Sequence, residues 1–441
     1  SFLDISSAWD RAIELQQQTR QNFHQLFLDR KNPSDVNALL LGRPYTILSK
    51  SLNCGIPDIF SSLDVNVFYQ DMLDFNEYDF TDIDGLLQEI HWKHAAHILK
   101  AAYIAANTDN VYPVYITSFN CSPDSFCIDY FKQIMEHHGK PYLILELDEH
   151  DSNVGYETRI EAAIRAFRNH RNYFSLQNDS AADSEQPSPT SLDSGPLSVN
   201  PELTDRIGNK TVIFPNWDAI TGRLLVAVLK SEGYDAYLME ETDETLKECL
   251  KTNTGQCIPL NAVASGFIHT VEKHGLNPSN CVLWLSQSEI SCNIKLYPHQ
   301  IKTILNRNGN GFENADVYVG ELSFIDISFR SSINAYFAYM FGGLIRSIGC
   351  RIRPYETHKG ETDATIEKTL TVLEHRFRNH LAKEYALSEM MSDFSGIEKR
   401  EEKLAKIAIF GDLYIRDNAV INQDLIHFIE ENGGEVITTP Y

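Results

Sequence analysis

The sequence predicts an α/β protein: two flavodoxin- or Rossmann-like parallel-sheet modules, a helical connector and the start of a third α/β unit. Three observations carry that prediction. Short apolar runs alternate with helical patterns of about ten residues or more, which indicates right-handed crossovers between parallel strands. The chain has 441 residues, too many for one ordinary core, so two to three domains are expected. One Ser-, Asp-, Pro- and Gly-rich stretch then divides the pattern into two similar halves.

In order, residues 1–35 hold an N-terminal amphipathic helix, read over 8–31 where Gly and Pro are absent. The first α/β domain spans 36–172. Its strands are read at 38–41, 64–69, the run before Cys121, and 141–147; its helices start at Gly55-Ile-Pro and cover 90–106, 126–138 and 157–171. Residues 173–207 read as a flexible linker, since from 175 onward the composition cannot bury enough apolar area to offset ordering entropy.

The second α/β domain spans 208–355, with strands at 210–214, 235–239, 281–285 and 316–319 and helices at 220–232, from Pro259, near 298–306 and at 332–348. Helical patterns over 356–404 read as a connector. Residues 405–441 read as the start of a third unit, a βαβ that leaves a sheet face uncovered and so expects a continuation or a partner.

Composition excludes several functions. A net charge of −23 with only 38 basic residues argues against nucleic acid and against an anionic membrane surface. No apolar run approaches the ~18 residues needed to span a bilayer. The opening Ser-Phe-Leu-Asp-Ile-Ser lacks an initiator Met, a basic region and a signal core, and reads as internal to something longer. Eight irregularly spaced cysteines are too sparse for a disulfide scaffold, so a reducing cytoplasm is the expected location. No phosphate loop or Gly-x-Gly-x-x-Gly follows a strand, and no intact nucleotide site is expected; Asn-Gly-Asn-Gly (308–311) reads as a turn.

The chemistry-bearing candidates are cysteines. Cys121 lies where an apolar strand stops and a helix begins, at the strand edge where open parallel sheets bind ligands. A thiolate beside a helix N-terminus has a lowered pKa, which suits a nucleophile or a soft-metal ligand. Cys257 and Cys292 also sit near inferred strand ends or helix starts. Three such thiols point to a metal or cluster site; for any one alone, inert packing is the competing reading. His91, His94 and His97 are near-neighbours on a helix face, a conceivable metal site or simply a half-buried face. Asp148, Glu149 and His150 follow a strand and suit an acid–base role or helix capping.

Several motifs resemble the acyl-CoA dehydratase activase-related family, whose members carry 2-hydroxyacyl-CoA-dehydratase-like domains. They are Gly-Arg-Pro-Tyr with Asn-x-Gly-Ile-Pro (42–57), Tyr-x-Thr-Ser-Phe-Asn-Cys-x-Pro-Asp-Ser-Phe (115–126) and Glu-Leu-Asp-Glu-His with Thr-Arg-Ile-Glu-Ala (146–162). Lys210–Asn216, Gly255–Pro259, Arg353-Pro-Tyr and Gly411–Asn422 also fit, so the resemblance covers most of the chain outside the linker.

The resemblance implies an iron–sulfur cluster, 4Fe-4S or double cubane, with Cys121, Cys257 and Cys292 as ligands across the first and second modules. Arg43, Tyr45, Asp148, Glu149 and His150 become further site candidates. The chain departs from the family at Cys292, where Ile-Ser-Cys-Asn replaces a Gly-Pro-Cys-Arg-type run, and at Cys54, where the family usually has His. The implied function is low-potential electron transfer in acyl-CoA metabolism, within a dehydratase or reductase system. An ATP-dependent activase is the implied partner, with acyl-CoA and a second copy of the chain as further candidates. The alternative is a non-catalytic scaffold that keeps the fold without a complete cluster.

Overall fold

A computed structural model describes residues 2–118, 122–147, 153–181, 202–252, 255–286 and 292–438. Two compact units are present: residues 1–200 with 254–256 and 290–296, and residues 201–253, 257–289 and 297–441. Among the described residues no helix is long and apolar enough to cross a membrane.

The first unit runs α1 (Phe2–Arg30), β1 (Asn37–Leu41), α2 (Pro44–Leu48), α3 (Ile56–Ser62), β2 (Asn66–Tyr69), α4 (Asp84–Glu89), α5 (Lys93–Ala106), β3 (Val111–Ser118), α6 (Ser122–His137), β4 (Leu143–Leu147) and α7 (Asn153–Ala181). The sheet order is β2-β1-β3-β4, all parallel. β1 is wholly buried, as a central strand covered on both faces must be, which is why Ala38–Leu41 is an unbroken apolar run. Ile56 and Phe60 of α3 and Ile160, Ile164 and Phe167 of α7 share one buried core with Ala38, Leu40, Val114 and Ile116. Tyr112 of β3 stacks on Phe167 with centroids 4.6 Å apart.

Two expectations change here. α1 starts at Phe2, not near residue 8. α7 continues to Ala181, into the segment read as linker, because 172–181 contains neither Gly nor Pro to stop it. At the other end of that segment Thr204 forms a parallel bridge with Tyr318. Residues 182–201, the heart of the expected linker, lie outside the described residues.

The second unit continues with β5 (Thr211–Phe214), α8 (Ala219–Ser231), β6 (Ala236–Leu238), α9 (Asp243–Thr252), α10 (Ile258–Lys273), β7 (Cys281–Ser286), α11 (Tyr297–Asn308), β8 (Asp316–Gly320) and α12 (Phe329–Ile352). Its parallel sheet is ordered β6-β5-β7-β8, the same order as the first. Then come α13 (Glu361–Arg378), α14 (Glu384–Gly396), β9 (Ala405–Ala408), α15 (Leu413–Asp417), α16 (Leu425–Glu431) and β10 (Gly434–Ile437). α13 is tied to α8 by Arg223, which bonds Glu367 at 2.6 Å and Glu374 at 2.5 Å. β9 and β10 pair in parallel as a two-stranded sheet. That sheet is anchored by a small core of Cys350, Ile409 and Val436 and by Arg353, which contacts Asp363 at 2.7 Å and Glu430 at 2.8 Å.

Two measurements test this packing. A Cβ at Gly342 of α12 would lie 2.9 Å from the Cβ and 3.0 Å from the Cα of Thr221 in α8. Gly342→Ala must therefore push the helices apart, and a loss of about 1–3 kcal/mol in urea unfolding is expected. Gly396→Ala, which meets nothing within 4 Å, should change little.

The second test uses pH. Asp363, then Asp424, raise His427 to about 9 against the opposing effect of burial. A raised histidine stabilises fully below its ordinary 6.5, and that contribution disappears as pH rises through about 9. Protection factors of the 405–438 amides, corrected for intrinsic exchange, should fall over that window, and His427→Gln should abolish that fall.

Candidate functional site

In the first sheet the order reverses between β1 and β3, whose neighbours β2 and β4 lie on opposite sides. Open α/β sheets bind ligands outside the carboxyl ends of strands at such a point. β1 runs there into Gly42-Arg43-Pro44-Tyr45. The buried Gln70 side chain locks the turn: Gly42 N donates to Gln70 Oε1 at 3.0 Å, and Gln70 Nε2 donates to Gly42 O at 2.8 Å. Gly42 is required, because a Cβ would stand 2.5 Å from Ile116 O and φ is +155°. Pro44 then opens α2, where its missing N–H costs nothing.

Arg43 Nε donates to Asp124 Oδ1 at 2.9 Å, joining the β1 turn to the first turn of α6. Thr117 Oγ1 donates to Asp124 Oδ2 at 3.4 Å, and Tyr115 hydroxyl to Asp124 O at 3.2 Å. Burial raises the Asp124 carboxyl above the usual range, while Arg43 and Thr117 oppose that rise. Arg43 Nη1 also donates to Tyr45 hydroxyl at 3.2 Å. Arg43, Tyr45 and Asp124, with Trp92, His94 and Pro123, line a crevice of about 400 Å³. It offers aromatic walls around a guanidinium already balanced by a carboxylate.

Of the expected site residues, Arg43 and Tyr45 are therefore in one crevice. Cys121 lies outside the described residues, in the connection between β3 and α6, and so do Asp148, Glu149 and His150 after β4. Cys257 is half-buried at the N-cap of α10. Cys292 is half-buried just before a 3₁₀ turn, Asn293–Leu296. Cys292 belongs to segment 290–296, which groups with the first unit, although its sequence position implied the second.

Four other cysteines are buried: Cys127, Cys249, Cys281 and Cys350. Burial raises each thiol, Cys281 to about 11 and Cys350 to about 12, which makes them packing residues. Among the described residues, no group of three or more His, Cys, Asp and Glu side chains is arranged to hold a metal ion. The histidine triplet separates accordingly. His91 precedes α5, His94 lines the crevice, and His97 packs on Phe75 at 5.0 Å, where burial lowers it to about 4.

The second unit places a polar network at the equivalent strand ends, and the sequence signalled only part of it. Asp218 caps α8 by accepting from Ile220 N and Thr221 N. The buried Arg346 of α12 reaches Asp218 at 3.5 Å and Asp417 at 2.8 Å. Asn418 Nδ2 donates to Asn216 O at 2.5 Å, and Tyr414 hydroxyl donates to Glu241. Burial pushes the Glu241 carboxyl up to about 7. The Gly411–Asn422 run was conspicuous in the sequence as a motif, whereas nothing about Arg346 or Glu241 distinguished them from surface charges.

Residues 1–73 match the family model of a CoA enzyme activase uncharacterised domain, which supports an activase-related family. The matched segment carries α1, β1, β2 and the Arg43–Tyr45 turn. No curated protein and no solved structure matches the chain.

Arg43→Gln should cost about 1–3 kcal/mol, since it strips the cation from a buried carboxylate. Asp124 already has a raised folded pKa, so the folded state favours its protonated form and stability falls as pH rises through that pKa. Removing Arg43 extends the window upward. The deficit in urea unfolding should therefore shrink as pH is lowered; a deficit independent of pH would contradict the pairing.

Proposed function

We propose, from that activase relationship, that the chain is a 2-hydroxyacyl-CoA-dehydratase-related protein serving low-potential iron–sulfur electron transfer, with an ATP-dependent activase as electron donor. The observation that carries the proposal is the switch-point crevice. Its Arg43–Asp124 pair ties the β1 turn to the start of α6, immediately after the Cys121 connection. Open parallel sheets bind ligands outside the carboxyl ends of their strands, and in the sequence Cys121 follows β3.

The donor set is chemically suitable. Iron–sulfur clusters are held by thiolates, and Cys257 and Cys292 are half-buried at a helix N-cap and before a helical turn, unlike the four buried packing thiols. Cys121, Cys257 and Cys292 are the residues that would hold the cluster, which when bound would supply one-electron chemistry at low potential. Arg43 and Tyr45 would shape the approach to it, and acyl-CoA chemistry is the context in which the electron would be used. No disulfide joins the described cysteines, which suits a reducing cytoplasm.

A second reading rests on α12. Phe329, Ile333, Tyr336, Phe337, Met340 and Leu344 are all exposed and recur at helical spacing along one face, opposite the buried face carrying Ala335, Ala338 and Ile345. An apolar stripe of this kind favours an interaction role that needs no cluster.

Iron and acid-labile sulfide, measured after anaerobic purification of the full chain, separate the two readings. Stoichiometric iron that is lost in Cys121→Ser and Cys257→Ser but kept in Cys127→Ser is the expected result. Iron at background in the wild-type chain after anaerobic reconstitution would remove the cluster reading and leave the interaction role.

A further inference from the structure

The second unit contains a cavity of about 900 Å³ beside the edge strand β6, walled by α8, α13 and His274, which follows α10. Its two ends differ in chemistry. At one end stand Lys230 of α8 and His375 and Arg378 of α13, and among the described residues none of these three pairs with a carboxylate. Other cations of the same cavity are already neutralised, Arg223 by Glu367 and Glu374. Lys230 leans over the Tyr237 ring, 5.7 Å from its centroid. At the opposite end Glu241 is held by Tyr414, and Asn216 Oδ1 is buried without a hydrogen-bond partner. Val226, Ala227, Leu238 and Met239 supply apolar wall between the two ends.

We propose that this cavity binds the phosphate ester of a small polyol, with the phosphate at Lys230, His375 and Arg378 and hydroxyl groups at Glu241 and Asn216. Two permanent cations and a histidine match a phosphate dianion through charge-assisted hydrogen bonds. Hydroxyl groups can donate to Glu241 Oε2 and Asn216 Oδ1, which have no hydrogen-bond partner among the described residues. The cavity volume lies within the range of roughly 300–1,000 Å³ usual for small-ligand sites. Basic residues in the last turns of α8 and α13 also complement the helix dipoles. That effect alone does not account for their sharing one cavity with two buried oxygens, Glu241 Oε2 and Asn216 Oδ1, that have no hydrogen-bond partner among the described residues.

Calorimetry on the full chain with ribose 5-phosphate, ribose and inorganic phosphate tests the proposal. Ribose 5-phosphate should bind more tightly than either fragment. Arg378→Gln, at an exposed position, should weaken it by about tenfold or more. Glu241→Gln should weaken the ester and leave inorganic phosphate unchanged. Absence of ester binding at millimolar concentration, equal binding by Arg378→Gln, or inorganic phosphate binding as tightly as the ester would each overturn the assignment. The iron content of the same preparations is independent of these outcomes, so this site and the cluster reading fail separately.

Discussion

Complete burial of the central parallel strands is the constraint on which the rest depends. Leu39, Leu40 and Leu41 of β1 and Val114, Tyr115 and Ile116 of β3 are inaccessible to water. A layer covered on both faces has no room for unpaired polar groups within it. Charged side chains must therefore gather where the strands end, and the first such end is the Gly42–Tyr45 turn. Gln70 satisfies the Gly42 backbone there, and Arg43 can then reach back to Asp124. Without the Gln70 bonds the turn would have to satisfy buried backbone groups some other way, at a cost of about 1–3 kcal/mol for each group left unpaired.

The second unit obeys the same constraint with different residues. Its strand order repeats that of the first, yet the position after β5 holds Asp218, which accepts from the α8 N-terminus and receives Arg346. Arg346 also binds Asp417, so one buried guanidinium joins α8, α12 and α15. A buried ion pair gains little net stability over apolar packing, but breaking one partner is costly. Such a triad is therefore better understood as fixing which helices meet than as adding stability. The strand-order repeat and the divergent ionic groups show a shared architecture supporting different buried ion pairs at the strand ends of each unit.

How far this was legible in the sequence follows from where the signals live. Strands such as Ala38–Leu41 and Cys281–Leu285 are unbroken apolar runs, so their existence and parallel pairing could be read directly. Arg43 and Tyr45 were accessible through the Gly-Arg-Pro-Tyr motif at a strand end. Asp124 was present in the Cys121 run, but its partner is 81 positions away, and no local pattern encodes that pairing. Glu241 and Arg346 were invisible for the same reason: burial turns an ordinary charge into a special one, and burial is decided by tertiary contacts. The helical extension to Ala181 is hidden by composition, which averages over a long window, whereas helix propagation is decided residue by residue.

The cysteines show how the same distinction bears on function. By sequence all eight are single thiols in apolar or turn contexts. The fold divides the described ones into a buried group with raised thiols and a half-buried group that contains Cys54, Cys257 and Cys292. Cys54 has a left-handed backbone, with φ of 52°, just before the Gly55 start of α3. Its side chain lines a different cavity, with Lys50 and Asp58, from the one that holds Arg43. Thiolate chemistry needs both access and a favourable field. Access separates Cys257 and Cys292 from the four buried thiols, while in the first unit an arginine, a carboxylate and aromatic walls converge at the end of β1.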